Sequence, residues 1–155
     1  MVALLYPGVR QGSRVNEPRR AARHVARAVA GFDLVATGLL AVPGLESRFL
    51  AALMQIDAAL GFATPAVSLP AFALLLANLA GALGVLWALV RLAWPWRELV
   101  RADVLGRCAV AALIGWSIVG RGVSPVLWAF VASELVGAAA QSWALPRLPR
   151  WTTRP

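Results

Sequence analysis

Two acidic side chains stand inside apolar runs, where a charge is costly. Glu134 lies near the middle of the stretch from Pro125 to Trp143, and Asp33 lies within Ala28 to Val42. A charge at the centre of a membrane helix costs about 2.5–3.5 kcal/mol on the insertion scale, so such carboxyls are expected to be protonated, paired or turned into a bundle. The chemistry open to them is ion pairing or proton exchange. Leu127, Phe130, Gly137, Ala138 and Gln141 share the face of Glu134 at helical spacing. The small residues among them let another helix approach, which predicts an inward-facing Glu134 hydrogen-bonded by Asn78, Ser117 or Trp116. Thr37 follows Asp33 by one turn. If both acids point inward, Arg91 or Arg107 reaches one of them and closes a buried acid–base cluster. A structural cluster is the expectation ahead of a proton relay, because no pair of Pro/Gly-broken helices repeats between the halves.

The remaining polar candidates have plainer readings. Asp103 and Arg107 are four apart, a spacing that contributes a few tenths of a kcal/mol on a solvated surface, and are expected to anchor a helix end. Asn78 is read as interhelical glue beside a stripe of small residues, Ala77, Gly81, Gly84 and Ala88; Gly137 offers a second close-packing point. Trp87, Trp116 and Trp128 are the aromatic candidates for a pocket holding a quinone or an organic cation, with ordinary packing as the alternative. A single Cys108 and a single His24 build no disulfide, zinc, haem or iron–sulfur site. No catalytic residue, metal or cofactor is therefore predicted.

The elements that position these groups follow from hydropathy. Leu69 to Val90 contains no ionisable side chain, and at ~1.5 Å per residue it is long enough to cross a ~30 Å hydrocarbon core. The fold class predicted is an all-α polytopic integral membrane protein. It has four spans, about 28–43, 69–92, 104–120 and 125–143, in an antiparallel bundle. A short interfacial amphipathic helix is expected over about 46–60, with Phe49, Leu53, Ile56 and Leu60 on its apolar side and Arg48, Gln55 and Asp57 elsewhere. Residues 1–27 read as a mobile basic tail, 28–143 as the membrane domain and 144–155 as a second tail. The first span is read as retained rather than cleaved, since an acidic residue disfavours a signal h-region. Pro70 suits the first turn of the main span, where its missing amide hydrogen costs nothing.

Charge sets orientation. All 15 basic residues are Arg, and the formal net charge is +8. The arginines flank the apolar runs instead of lining a helix face with interleaved aromatics, which argues against nucleic acid as a partner. Six precede the first span, four lie in the middle connection from Arg91 to Arg107 and three follow the last span, while Arg48 and Arg121 alone fall on the other side. Cytoplasmic loops carry the excess of positive charge, so both termini are expected in the cytoplasm.

The layout (a first span, an extracytoplasmic amphipathic stretch, a proline and three further spans) resembles the DoxX-like family of small bacterial membrane proteins over roughly residues 27–143. That family's second span is expected to carry an acidic residue followed by glycines; here Asn78 stands before Gly81 and Gly84. The resemblance implies a multi-pass protein of the bacterial inner membrane and a link to quinone-dependent oxidation. Three functions are open. The first is a non-catalytic accessory or assembly subunit that packs through its small-residue faces, as a homo-oligomer or in a larger membrane complex. The second is a proton-coupled transporter of a small amphipathic solute that uses Glu134 and Asp33. The third is a quinone- or lipid-handling subunit of a membrane oxidoreductase.

Overall fold

The computed structural model describes residues 11–62, 64, 65 and 69–150, apart from the side chains of residues 11–16. Among them the chain is all-helical: α1 (Gln11–Ala41), α2 (Leu45–Ala59), α3 (Ala71–Ala93), α4 (Arg97–Arg121) and α5 (Trp128–Ala144), with 3-10 turns at Pro125–Leu127 and Leu145–Arg147 and no strand. Three helices are long and apolar enough to cross a membrane: the Glu17–Ala41 part of α1, α3 and α4. Pro70 caps α3, its carbonyl accepting from the amides of Ala73 and Leu74.

Packing runs as an open arc. α3 lies along α1, α1 also along α5, and α5 along α4; α3 and α4 scarcely touch, although three residues join them. Glycine sets the α1–α3 distance. A Cβ on Gly81 would sit 2.6 Å from the carbonyl carbon of Leu40, and one on Gly84 would sit 2.6 Å from Thr37 Cγ2. Asn78 Nδ2 donates to the Leu40 carbonyl at 2.8 Å across the same contact, and Ala88 is fully buried. The small-residue stripe of α3, with half-buried Ala77 at its start, is thus occupied within the chain.

Two expected boundaries are corrected. The basic segment read as a tail up to Arg27 is helical from Gln11; residues 1–10 and 151–155 of the two tails lie outside the described residues. Ala22, Ala26 and Ala30 recur every fourth position and are buried, and Ala22 and Ala26 form a small core with Val100, Ala144 and Leu148. Arg19, Arg20, Arg23 and Arg27 are exposed around that stripe. High arginine content hides from hydropathy a helix that packs through alanine methyls. Likewise α4 begins at Arg97, not near residue 104. Pro95 breaks the chain between stacked Trp94 and Trp96, and the Arg97 amide then donates to the Pro149 carbonyl at 3.0 Å, so the segment after α5 ties down the start of α4.

α2 crosses the far end of the arc, against α1, α3 and the Pro125–Leu127 turn. Its apolar positions divide, Phe49 and Leu53 half-buried with the Phe49 ring edge-on to Phe130, and the others turned outward. Glu46 and Asp57 are buried, whereas Ile56 and Leu60 are exposed. Asp57 Oδ1 accepts from the hydroxyls of Thr64, at 3.0 Å, and Ser124; its Oδ2 accepts from the Thr64 amide at 3.3 Å. Ser124 in turn accepts from the Val126 amide at 3.2 Å. One carboxylate therefore pins the exit of α2 to the α4–α5 turn. A buried carboxyl group needs hydrogen bonds to replace the water it has lost, and these donors supply them.

Candidate functional site

Where α3 and α4 diverge, five ionisable side chains from four helices meet. Arg91, in the last turn of α3, donates through Nη2 to Asp33 Oδ2 at 2.5 Å and through Nη1 to Asp103 Oδ2. Arg107, one turn beyond Asp103 on α4, donates through Nη2 to the same Asp33 oxygen, through Nε to Asp103 Oδ2 at 3.0 Å and through Nη1 to Glu134 Oε2 at 2.9 Å. Asp103 also accepts from Trp87 Nε1 and Gln141 Nε2, both at 2.7 Å. The guanidinium of Arg91 lies 5.9 Å from the Trp87 ring centroid.

Burial sorts these groups into a centre and a rim. Arg91, Asp103, Arg107 and Gln141 are buried, while the side chains of Asp33 and Glu134 keep 14% and 24% exposure. The exposed edges face a cavity of about 570 Å³ between the α1–α3 and α4–α5 pairs. Phe32, Phe49, Trp87, Val110, Ile114 and Phe130 give it apolar walls, and the ion-pair cluster with Ser133 forms its polar side. That size, with a few convergent polar groups in an apolar lining, is typical of small-molecule sites.

The charge is unbalanced. Among the described residues, Asp33, Asp103 and Glu134 oppose Arg91 and Arg107, and no other ionisable group lines the cavity. Every guanidinium nitrogen except Arg91 Nε already donates to a carboxylate; Arg91 Nε and Gln141 Oε1 are buried without a partner. Asp33 has two arginine partners and Asp103 has four donors, but Glu134 has one. The excess negative charge therefore falls on the least-held carboxyl, at the cavity wall.

Several expected partnerships are replaced. Glu134 is held by Arg107 and not by Asn78, Ser117 or Trp116: Asn78 is engaged at Leu40, Ser117 donates to the Leu113 carbonyl at 2.9 Å, and Trp116 is exposed. Thr37 donates to the Asp33 backbone carbonyl at 2.7 Å, away from its carboxylate. Asp103 and Arg107 form no solvated surface pair; they are the buried centre, because Asp33, Trp87, Arg91, Glu134 and Gln141 of the neighbouring helices close around them. Gln141 does share the face of Glu134, two turns further along α5, and serves Asp103. Gly137 makes room for Arg107, whose Nη1 would lie 2.7 Å from a Cβ there. The three tryptophans do not gather: Trp87 lines the cavity, while Trp116 and Trp128 lie on the outside with the Trp128 ring against Gly115. Sequence reasoning missed that Arg91 joins two acids at once, and that Asp57 is buried at the opposite end. The one available signal for Arg91 was its place at the end of an uncharged run, where snorkelling outward and turning inward look alike.

Comparison with known proteins finds no matching family model, no matching curated protein and no matching solved structure.

Proposed function

We propose that this is an integral membrane protein of four spans that binds a small amphipathic solute in the cavity between its helix pairs and moves it with proton coupling through Glu134. The observation that carries this reading is the position of the Glu134 carboxyl, which edges a largely apolar cavity instead of a dry helix contact. Membrane placement is supported by the inverted distribution of polarity. Leu76, Leu79, Leu83 and Leu86 of α3 and Leu105, Leu113 and Val119 of α4 face outward, while arginine and acid are buried. For the fourth span, α5 has 17 residues, about 26 Å of helix, and 3-10 turns extend it at both ends. The resulting topology leaves both termini on the side of Trp94 and Trp96, the cytoplasmic side by arginine distribution.

An assembly subunit remains the competing proposal, but the small-residue stripe that would recruit a partner is spent on α1. The DoxX-like layout and its quinone link fit the cavity less directly, since its polar side carries three carboxylates, which only accept, and both guanidiniums are buried in ion pairs with them.

Gly106 provides a direct test. It lines the cavity, and a Cβ added there meets nothing within 4 Å. Gly106→Phe is expected to fill the site without lowering stability, because replacing a helical glycine gains up to about 1 kcal/mol in helix propensity. Native mass spectrometry after purification in mild detergent should find a retained small molecule on the wild-type protein and none on the variant. A wild-type protein free of bound molecules, or equal retention by both, contradicts the reading.

A further inference from the structure

We infer that the solute is an organic monocation with an aromatic or bulky apolar body, which takes the place of one proton at Glu134. This inference rests on the cavity reading above and adds the class of ligand.

Three observations select a cation. The cavity is lined by three carboxylates and two guanidiniums, leaving one formal negative charge when all are ionised. In a low-dielectric site an unbalanced charge is expensive, so a proton or another cation must offset it. An anion finds no welcome: both guanidiniums are buried and already paired with Asp33 and Asp103, and the lining carries one carboxylate more than it has guanidiniums. Finally, Phe32, Phe49, Trp87 and Phe130 reach the cavity, and Phe49 and Phe130 meet edge to face at 6.2 Å. Aromatic faces attract cations most strongly where water is excluded.

Glu134 is the exchange point because it has a single partner. The groups that face it are Asp33 from α1, Arg91 from α3, and Asp103 and Arg107 from α4; α2 contributes only Phe49, and α5 has no other ionisable residue. When the cation enters beside the carboxyl, the proton leaves Glu134 for solvent and the charge of the site is unchanged. Cation and proton are thus mutually exclusive occupants, which is the requirement for exchange.

The test uses the full chain in lipid nanodiscs, with empty nanodiscs as baseline, and three probes of similar shape: tetraphenylphosphonium, tetraphenylborate and neutral triphenylphosphine oxide. Equilibrium dialysis is expected to show saturable binding of the phosphonium alone, with about one proton released per cation in weak buffer, and binding weakened as pH falls. Glu134→Gln should weaken phosphonium binding by at least about tenfold and abolish proton release. The release measurement on wild-type protein keeps the test informative should the variant fold poorly. Phosphonium binding without proton release overturns the exchange. Preference for the borate or equal binding of the neutral oxide overturns the cation class while leaving the cavity reading intact. If none of the three binds, both fail.

Discussion

Arg107→Met is expected to lower the stability of the protein by about 3–5 kcal/mol, the range found when one partner is removed from a buried ion pair. Methionine approximates the length and shape of the aliphatic part of arginine, so the loss is electrostatic and not a cavity effect. The reason lies in the count of partners. Arg107 touches all three acids, and without it Glu134 loses its arginine partner while Asp33 and Asp103 share Arg91 as their one remaining cation, Asp103 keeping the neutral donors Trp87 and Gln141. Three carboxylates then face one guanidinium. Adding Glu134→Gln to Arg107→Met restores the original imbalance of one charge and should recover at least about 1 kcal/mol, a coupling within the range of double-mutant cycles. Thermal unfolding in a fixed detergent reads both. An Arg107→Met protein as stable as the parent, or a double variant that merely sums two losses, would show that the cluster carries little energy.

Gly81→Leu should be nearly as damaging by a different route. The position a Cβ would take is already filled by the Leu40–Ala41 backbone, and backbone cannot move aside as a flexible side chain does. Helices α1 and α3 must separate, which breaks the hydrogen bond from Asn78 to Leu40 and withdraws Asp33 from Arg91. Overpacking alone costs about 1–3 kcal/mol, and the lost polar contacts add to it. Gly106→Leu, on α4 in open space, is the matched control and should be tolerated. The expected readout is loss of the monodisperse peak in size-exclusion chromatography for the first variant and its retention for the second.

The contrast between what could and could not be read from sequence is physical. α3 is legible because an uncharged run of its length has few alternatives, and the inward turn of Asp33 and Glu134 follows from the cost of leaving them outside. The early part of α1 was illegible for the opposite reason: its helix packs through Ala22 and Ala26, which register weakly against four exposed arginines. Asp103 and Arg107 were misjudged because i,i+4 spacing describes a pair on one helix and says nothing about partners 74 residues away on another, as with Arg107 and Asp33. Asp57 shows the same limit. Its neighbours in sequence suggested the polar side of an interfacial helix, whereas Thr64 and Ser124 make burial the cheaper place for it. The gap between α3 and α4 was equally hidden, since an antiparallel bundle ordinarily packs sequential spans side by side. Polar bridges through Trp87, Arg91 and Asp103 span that gap where apolar packing would otherwise lie.

All of this depends on four antiparallel spans standing in a bilayer with the ion-pair cluster between them. Sidedness of labelling tests that directly. With Cys108 replaced by serine, single cysteines at Arg19, Gln55 and Arg150 are treated in whole cells with a membrane-impermeant maleimide. Gln55→Cys should label at once, and Arg19→Cys and Arg150→Cys only after the membrane is opened. Labelling of Arg19 and Arg150 on opposite sides, or of all three sites from outside, would contradict the account.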